Sequence, residues 1–207
     1  MLQPQAVIFD IGNVLIGWNP DTFYDARIGA DRRRALFAEV PIEAANLAID
    51  GGAAFRATLY GLAEAHPAWA TEIRWWHDDW VQMVDPVIDH SVRLLRALRA
   101  KGVPVFALTN FGDETFAVAQ TRFDFLTEFD REYVSGRMRL LKPDPAIYAA
   151  VEADCGLPPA ALIFVDDKPE NIAAATARGW QGHVFTGPES WALCLVDLGL
   201  LTEEDAA

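Results

Sequence analysis

Cysteine is scarce in this sequence: Cys155 and Cys194 are the only two among 207 residues. They stand far apart and near no other soft metal ligand, so we expect neither a disulfide framework nor a zinc site. Such low cysteine usage is typical of a reducing compartment, and we expect a cytoplasmic protein.

Long apolar runs and an excess of basic residues are also missing. The apolar run from Ala6 to Ile16 is interrupted by Asp10 and follows no basic residue, so we do not expect a signal peptide. No apolar stretch is long enough to span a bilayer. With 17 basic and 30 acidic residues, the formal net charge is −13. That charge repels nucleic-acid phosphates and anionic membranes, so neither is an expected partner, and it leaves the oligomeric state open.

Apolar residues make up 52% of the chain, enough for a sizeable buried core. They form short continuous runs typical of buried parallel strands, and helical patterns lie between these runs. Strands alternating with helices of this length predict an α/β fold, with a mostly parallel sheet covered on both sides. The predicted strands are Ala6–Asp10, Val103–Leu108, Arg131–Val134 (towards a sheet edge), Ala161–Val165 and His183–Phe185, and the predicted helices are Val87–Ala100, Pro145–Ala153, Glu170–Arg178 and Pro188–Leu198.

Residues from about 20 to 84 depart from this alternation. They carry five helix-like patterns and no convincing strand, with a turn at Asp50-Gly51-Gly52 and a plausible return hinge at Asp85-Pro86. We therefore expect two units: a core made of residues 1–18 and 86–207, and a helical insert made of residues 19–85.

Polar side chains follow three of the predicted strands. Asp10 ends the first strand, Thr109-Asn110 follow the second, and Asp166-Asp167 end another, while Lys142 precedes the helix that leads into that last strand. Ligands of open α/β sheets bind at the carboxyl ends of the strands, so these groups should gather at one edge. Clustered carboxylates repel each other unless a cation joins them, and hard oxygen ligands suit Mg²⁺. A carboxylate can also attack phosphorus, while lysine and Mg²⁺ offset charge on the transferred group.

Four segments in order along the chain, FDIGNVL, LTN, KPDPAIY and VDDKPENI, resemble the four sequence motifs of the haloacid dehalogenase superfamily. Each motif alone is short, but all four occur where a strand end or helix start is predicted, and they span nearly the whole chain. The resemblance implies a three-layer, Rossmann-like α/β core with a small α-helical cap inserted after the first strand. It also implies a magnesium-dependent hydrolase.

The resemblance assigns the nucleophile and the metal ligands by position. Asp10 matches the nucleophile of the first motif, and the backbone carbonyl of Gly12 matches a further ligand of Mg²⁺. Of the fourth-motif pair, Asp167 matches the direct metal ligand, with Asp166 acting through water.

The remaining site residues follow in the same way. Thr109 and Asn110 match the phosphate-binding second motif, and Lys142 matches the catalytic lysine of the third. Trp18, just after the first motif and near the insert, is a candidate for the substrate pocket. The expected partner is a small phosphorylated metabolite, with a sugar phosphate as one possibility.

One position departs from the common phosphatase pattern. There an aspartate two residues after the nucleophile acts as general acid and base, and here Gly12 takes that place. A positioned acid or base contributes about 10²–10⁴-fold to a rate. Asn13 cannot replace it and is better suited to a left-handed turn. Candidate substitutes are a neighbouring acid such as Asp113 or Glu170, the substrate's own hydroxyls, and a metal-bound water.

Two other functions stay open. In a dehalogenase of the same superfamily, the carboxylate displaces halide from carbon; halide needs no proton, but the Asp166-Asp167 pair would then have no role. A catalytically weak regulatory or binding module is compatible with the missing acid at Gly12, but not with the retained Asp10, Lys142 and Asp167.

Overall fold

The computed structural model describes residues 3–207 and contains seven strands. They are β1 (Ala6–Phe9), β2 (Ile16–Trp18), β3 (Val84–Val87), β4 (Val105–Thr109), β5 (Arg131–Val134), β6 (Leu162–Asp166) and β7 (Gln181–Val184). Five of them form a fully parallel sheet in the order β5-β4-β1-β6-β7. The expected α/β fold is confirmed, and β5 lies at a sheet edge as predicted.

Eleven α-helices accompany these strands in the described part of the chain. They are α1 (Pro20–Ile28), α2 (Ala30–Glu39), α3 (Ile42–Asp50), α4 (Phe55–Ala65), α5 (Ala70–Asp78), α6 (Asp89–Ala100), α7 (Asp113–Arg122), α8 (Ser135–Met138), α9 (Pro145–Cys155), α10 (Pro169–Ala177) and α11 (Pro188–Asp197). Short 3₁₀ turns occupy Pro67–Trp69, Trp80–Met83, Asp124–Thr127 and Pro159–Ala161. Within residues 3–207, no helix has the length and apolar character needed to cross a membrane.

The two faces of the sheet bury different apolar clusters, because successive side chains of a strand point to opposite faces. Ile8, Leu108 and Phe164 pack with Tyr148 of α9 and Ile172 of α10. Residues on the opposite face belong to the larger cluster, which includes Val7, Phe9, Ala107 and Val165 together with apolar residues of α6, α7 and α11. The core is therefore a three-layer arrangement of helices, sheet and helices.

Helices α1–α5 occupy the segment in which an insert was expected. Their buried side chains, such as Tyr24, Leu36 and Trp76, belong to the same cluster as the second sheet face. The insert thus packs against the core through a continuous apolar contact.

Two strands in this region were not predicted. β2 and β3 pair antiparallel and form a two-stranded sheet at the two ends of the insert. Asp85 and Pro86, where the return hinge was expected, lie within β3. The last of the five helix-like patterns predicted for the insert, Pro67–Val84, is broken into a 3₁₀ turn, α5 and a second 3₁₀ turn. Three-residue and four-residue strands leave too few apolar positions for a periodic signal.

Candidate active site

Asp10 lies directly after β1, at the carboxyl edge of the sheet. Its backbone N–H donates to the carbonyl of Val165 at 2.9 Å, which continues the pairing of β1 with β6. Its carboxylate Oδ1 accepts the backbone N–H of Ile11 at 2.7 Å. Only 7% of the residue is exposed. The carboxylate is therefore held at a fixed place on a central strand.

Lys142 joins the carboxylates of two neighbouring strands. Its ammonium lies 2.9 Å from Asp10 Oδ1 and 2.6 Å from Asp166 Oδ2, and it donates to the carbonyl of Leu108 at 2.9 Å. Lys142 is 4% exposed and Asp166 is fully buried. Buried charges of this kind persist only when they are paired and hydrogen-bonded, as they are here.

Asp166 also anchors the start of α10. Its Oδ1 accepts the backbone N–H of Lys168 at 2.8 Å, and both of its oxygens accept from the side chain of Asn171. Asp166 therefore fixes the turn that leads into α10. Asp167, the more exposed of the pair, lines the pocket.

Asp10, Asp166 and Asp167 form a carboxylate cluster in which one oxygen from each lies within 4.8 Å of the others. Gly12 lines the same pocket. Asp167 Oδ2 accepts a hydrogen bond from Asn13 Nδ2 at 3.0 Å. Three oxygens at this spacing, with backbone carbonyls nearby, fit a hard divalent cation such as Mg²⁺.

The loop after Asp10 depends on Asn13. Its φ of 55° places it in the left-handed region, as predicted from its residue type. Its side-chain oxygen accepts the backbone N–H of Trp18 at 3.0 Å, while its amide reaches Asp167. Asn13 therefore connects the carboxylate cluster to the first strand of the two-stranded sheet.

Thr109 and Asn110 stand at the end of β4, beside Asp10 in the sheet. Thr109 is buried and lines the pocket, and among residues 3–207 its hydroxyl has no hydrogen-bond partner. Asn110 accepts the backbone N–H of Lys142 at 2.8 Å and donates to the backbone carbonyl of Lys142 at 3.0 Å. The Asn110 side chain thus fixes the segment that carries Lys142, while the Thr109 hydroxyl remains available to a ligand.

Burial and the Lys142–Asp10 ion pair act in opposite directions on the pKa values of these two residues. Burial raises the pKa of the Asp10 carboxyl to about 7; the Lys142 ammonium opposes this, and the nearby Asp166 carboxylate reinforces it. Burial disfavours the charged form of Lys142, but Asp10 and Asp166 outweigh it, so the pKa of Lys142 lies above its ordinary value. Lys142 is therefore a permanent cation at neutral pH.

A pocket of about 330 Å³ opens above these groups. The core supplies its polar floor, while an aromatic wall formed by Trp18, Trp76, Trp80 and Phe111 supplies one side. In this wall the ring centroids of Trp18 and Trp80 lie 6.2 Å apart, and those of Trp80 and Phe111 lie 5.5 Å apart. Trp18 thus lines the pocket together with residues of the insert.

Helix α3 supplies another side of the pocket through four residues that sequence reasoning missed. Glu43, Asn46, Leu47 and Asp50 follow the spacing of a single helix face, and all four line the pocket. The turn signal at Asp50-Gly51-Gly52 marked only where the helix ends. Lys168 and Asn171, within the fourth motif, were likewise not singled out although they line the pocket.

The structure does not place Asp113 or Glu170 along this pocket. Asp113 pairs with Arg137 at 2.6 Å and lines a separate cavity. Glu170 lies exposed in the first turn of α10. Neither is positioned to replace the acid that Gly12 lacks.

Comparison with known proteins identifies one family. Residues 4–179 match the haloacid dehalogenase-like hydrolases. Flavin mononucleotide hydrolase 1 of Arabidopsis thaliana, a chloroplast protein by its name, is 29% identical over 113 residues, which are 55% of this chain and 46% of that protein. A sesquiterpene phosphatase of Aspergillus oryzae is 35% identical over 102 residues, which are 49% of this chain and 51% of that protein. The chain thus spans about half the length of these curated relatives.

Solved structures share the fold over nearly the whole chain. A haloacid dehalogenase family enzyme from Bacteroides thetaiotaomicron, solved with magnesium and inorganic phosphate, superposes with a TM-score of 0.70 at 21% identity. The match covers 92% of this chain and 98% of that one. At this identity the likeness concerns the fold.

Proposed function

Because this chain belongs to the haloacid dehalogenase-like hydrolase family and is a hydrolase, we propose that it is a magnesium-dependent phosphatase that uses Asp10 as a covalent nucleophile. The observation that carries the proposal is the buried contact of Lys142 with Asp10, at 2.9 Å, inside the carboxylate cluster. A cation-binding cluster beside a nucleophilic carboxylate suits phosphoryl transfer. Phosphatase-named relatives and a neighbour solved with magnesium and phosphate support it.

The reaction has two steps. The Asp10 carboxylate attacks phosphorus, the ester P–O bond breaks, and the leaving oxygen takes up a proton. Water then attacks the aspartyl phosphate, so that inorganic phosphate leaves and the Asp10 carboxylate is restored.

Residues of the pocket floor stabilise the transferred group. Lys142 supplies a fixed positive charge next to Asp10, and the free hydroxyl of Thr109 donates to a phosphate oxygen. Asn110 acts by holding the Lys142 segment in place. Asp10, Asp167, Asp166 and the backbone of Gly12 would hold Mg²⁺, which offsets carboxylate repulsion and charge on the phosphate.

The insert, residues 19–85 in our division of the chain, acts as a helical cap and selects the alcohol part of the ester. The aromatic wall favours a flat or apolar alcohol, because such groups gain most from burial against aromatic rings. The substrates that name the two curated relatives, flavin mononucleotide and a sesquiterpene phosphate, have alcohol parts of this kind. Sugar phosphates remain candidates because Glu43 and Asn46 on the α3 side could bind hydroxyls.

The test is release of inorganic phosphate from a panel containing flavin mononucleotide, an isoprenoid phosphate and sugar phosphates, with and without Mg²⁺. Asp10→Asn should abolish Mg²⁺-dependent turnover. Asp31→Asn, whose side chain is 98% exposed on α2, is the matched control and should retain it. Turnover that survives in Asp10→Asn, or that needs no metal, would contradict the proposal.

A second readout separates the phosphatase from its rivals. Beryllium fluoride with Mg²⁺ should inhibit a phosphatase by occupying the phosphoryl position on Asp10. Chloride release from a 2-haloacid without metal would instead identify a dehalogenase. A folded protein with neither activity would be assigned as a binding module.

A further inference from the structure

We propose that Asp50, on the last turn of α3, is the general acid and base of this reaction. It would protonate the leaving oxygen in the first step and take a proton from the attacking water in the second. The inference rests on the proposed function, and it fills the role that Gly12 cannot perform.

The first argument is the position of Asp50 within the pocket. Glu43 lies exposed at one end of the α3 face, whereas Asp50 is half-buried at the other end and lines the same pocket as Asp10. In an in-line displacement, the leaving oxygen lies on the side of phosphorus opposite the nucleophile. Asp10 belongs to the core and Asp50 to the insert, so a phosphate bound at Asp10 would direct its ester oxygen towards the insert.

The second argument is that the Asp50 carboxyl is held in place. Asn46 Nδ2 donates to Asp50 Oδ2 at 3.0 Å. The Ser135 hydroxyl donates to the backbone carbonyl of Asp50 at 2.6 Å and ties the end of α3 to the core. A catalytic acid fixed from both units keeps its orientation through the reaction.

The third argument is the proton affinity of the Asp50 carboxyl. Burial raises the pKa of Asp50 to about 7; the Gly112 N–H and the Lys168 ammonium oppose this, and the Asp10 carboxylate reinforces it. Its place at the C-terminal end of a helix also disfavours the negative charge. A group that titrates near neutrality can both give and take a proton during turnover.

The remaining acids near the site do not fit. Asp166 and Asp10 are occupied by Lys142, and Asp167 belongs to the carboxylate cluster. Asp113 and Glu170 lie outside the pocket lining. Gly12 itself leaves open space, since a Cβ built there would meet no atom within 4 Å.

The experiment compares two leaving groups in the wild type and in Asp50→Asn. An alkyl phosphate needs a proton on its leaving oxygen, whereas p-nitrophenyl phosphate expels a stable anion that needs none. The ratio kcat/KM covers the steps up to formation of the aspartyl phosphate. We expect Asp50→Asn to lower kcat/KM by about 10²–10⁴-fold for the alkyl ester and by less than about tenfold for the nitrophenyl ester.

The base role has its own signature. Without a group to activate water, the aspartyl phosphate should accumulate, so Asp50→Asn should release a burst of one nitrophenolate per active site before slow turnover. Asp113→Asn is the matched control and should behave as the wild type in both measurements.

The outcomes are distinguishable. A wild type that hydrolyses neither ester refutes the proposed function itself. A wild type that hydrolyses both, with Asp50→Asn slowing them equally and showing no burst, refutes only the role of Asp50. If Asp50→Asn does not fold, as judged by circular dichroism, the smaller Asp50→Ser takes its place in the same measurements.

Discussion

Replacing Lys142 by methionine should destabilise the fold much more than replacing an exposed, unpaired arginine by methionine. Methionine keeps most of the apolar stem, so the change mainly removes the ammonium that contacts Asp10 at 2.9 Å and Asp166 at 2.6 Å. Removing one partner of a buried ion pair costs about 3–5 kcal/mol, because the remaining charge stays buried without compensation. We expect a loss of this size in the free energy of unfolding at pH 8 without metal, measured by urea denaturation.

The matched control for this prediction is Arg93→Met. Arg93 is exposed on α6, and its side chain forms no hydrogen bond or ion pair within residues 3–207. Its replacement should change the free energy of unfolding by no more than about 0.5 kcal/mol. The loss in Lys142→Met should shrink towards pH 5, because protonation of Asp10 removes an uncompensated charge. Equal losses in the two variants, or a loss that does not depend on pH, would refute this account of the buried cluster.

Three further predictions concern the metal, the pH dependence and the packing. Asp167→Asn should abolish the increase in melting temperature that Mg²⁺ produces, while the metal-free melting temperature stays almost unchanged. Differential scanning fluorimetry measures both temperatures. If Mg²⁺ raises the melting temperature of the variant as much as that of the wild type, Asp167 is not a metal ligand. The raised pKa of Asp50, about 7 when folded and near 4 when unfolded, favours folding below pH 4, and this contribution is lost as pH rises through 7. As the pH rises from 4 to 8, the unfolding free energy of Asp50→Asn should therefore increase by up to about 4 kcal/mol relative to that of the wild type. If urea denaturation gives the same difference between the two proteins at every pH, the raised pKa of Asp50 is refuted. Gly61→Ala, in open space within α4, should stabilise the protein by about 0.5–1 kcal/mol. Gly136→Ala should destabilise it, because the added Cβ would lie 2.6 Å from the backbone nitrogen of Asp113. Similar melting temperatures for the two variants would refute the packing argument.

The family and the fold class could be predicted because their signals are local. A buried parallel strand appears in the sequence as a continuous apolar run, and the polar residues that follow it stand at the carboxyl edge of the sheet. Asp10 after β1 and Asp166 at the end of β6 illustrate this, and β1 and β6 are neighbours in the sheet. The predicted clustering of Lys142 with these carboxylates required only their order along the chain.

The two-stranded sheet could not be predicted in the same way. β2 has three residues and β3 has four, and each pairs with a partner more than sixty residues away. Their pairing depends on how the insert returns to the core, because no strand pattern is strong enough in either segment.

The sequence by itself determined the family, the alternation of strands and helices, and the set of carboxylates that follows the strands, since each depends on residue types within a short window. Only the tertiary structure decided which acids of the insert line the pocket together with Asp10. The Ser135 hydroxyl meets the backbone of Asp50 across 85 residues of sequence, and the pocket forms only when α3 packs against the core. Contacts between such distant segments depend on the packing of whole helices, so Asp50 has no local signal to distinguish it from other helix-end acids.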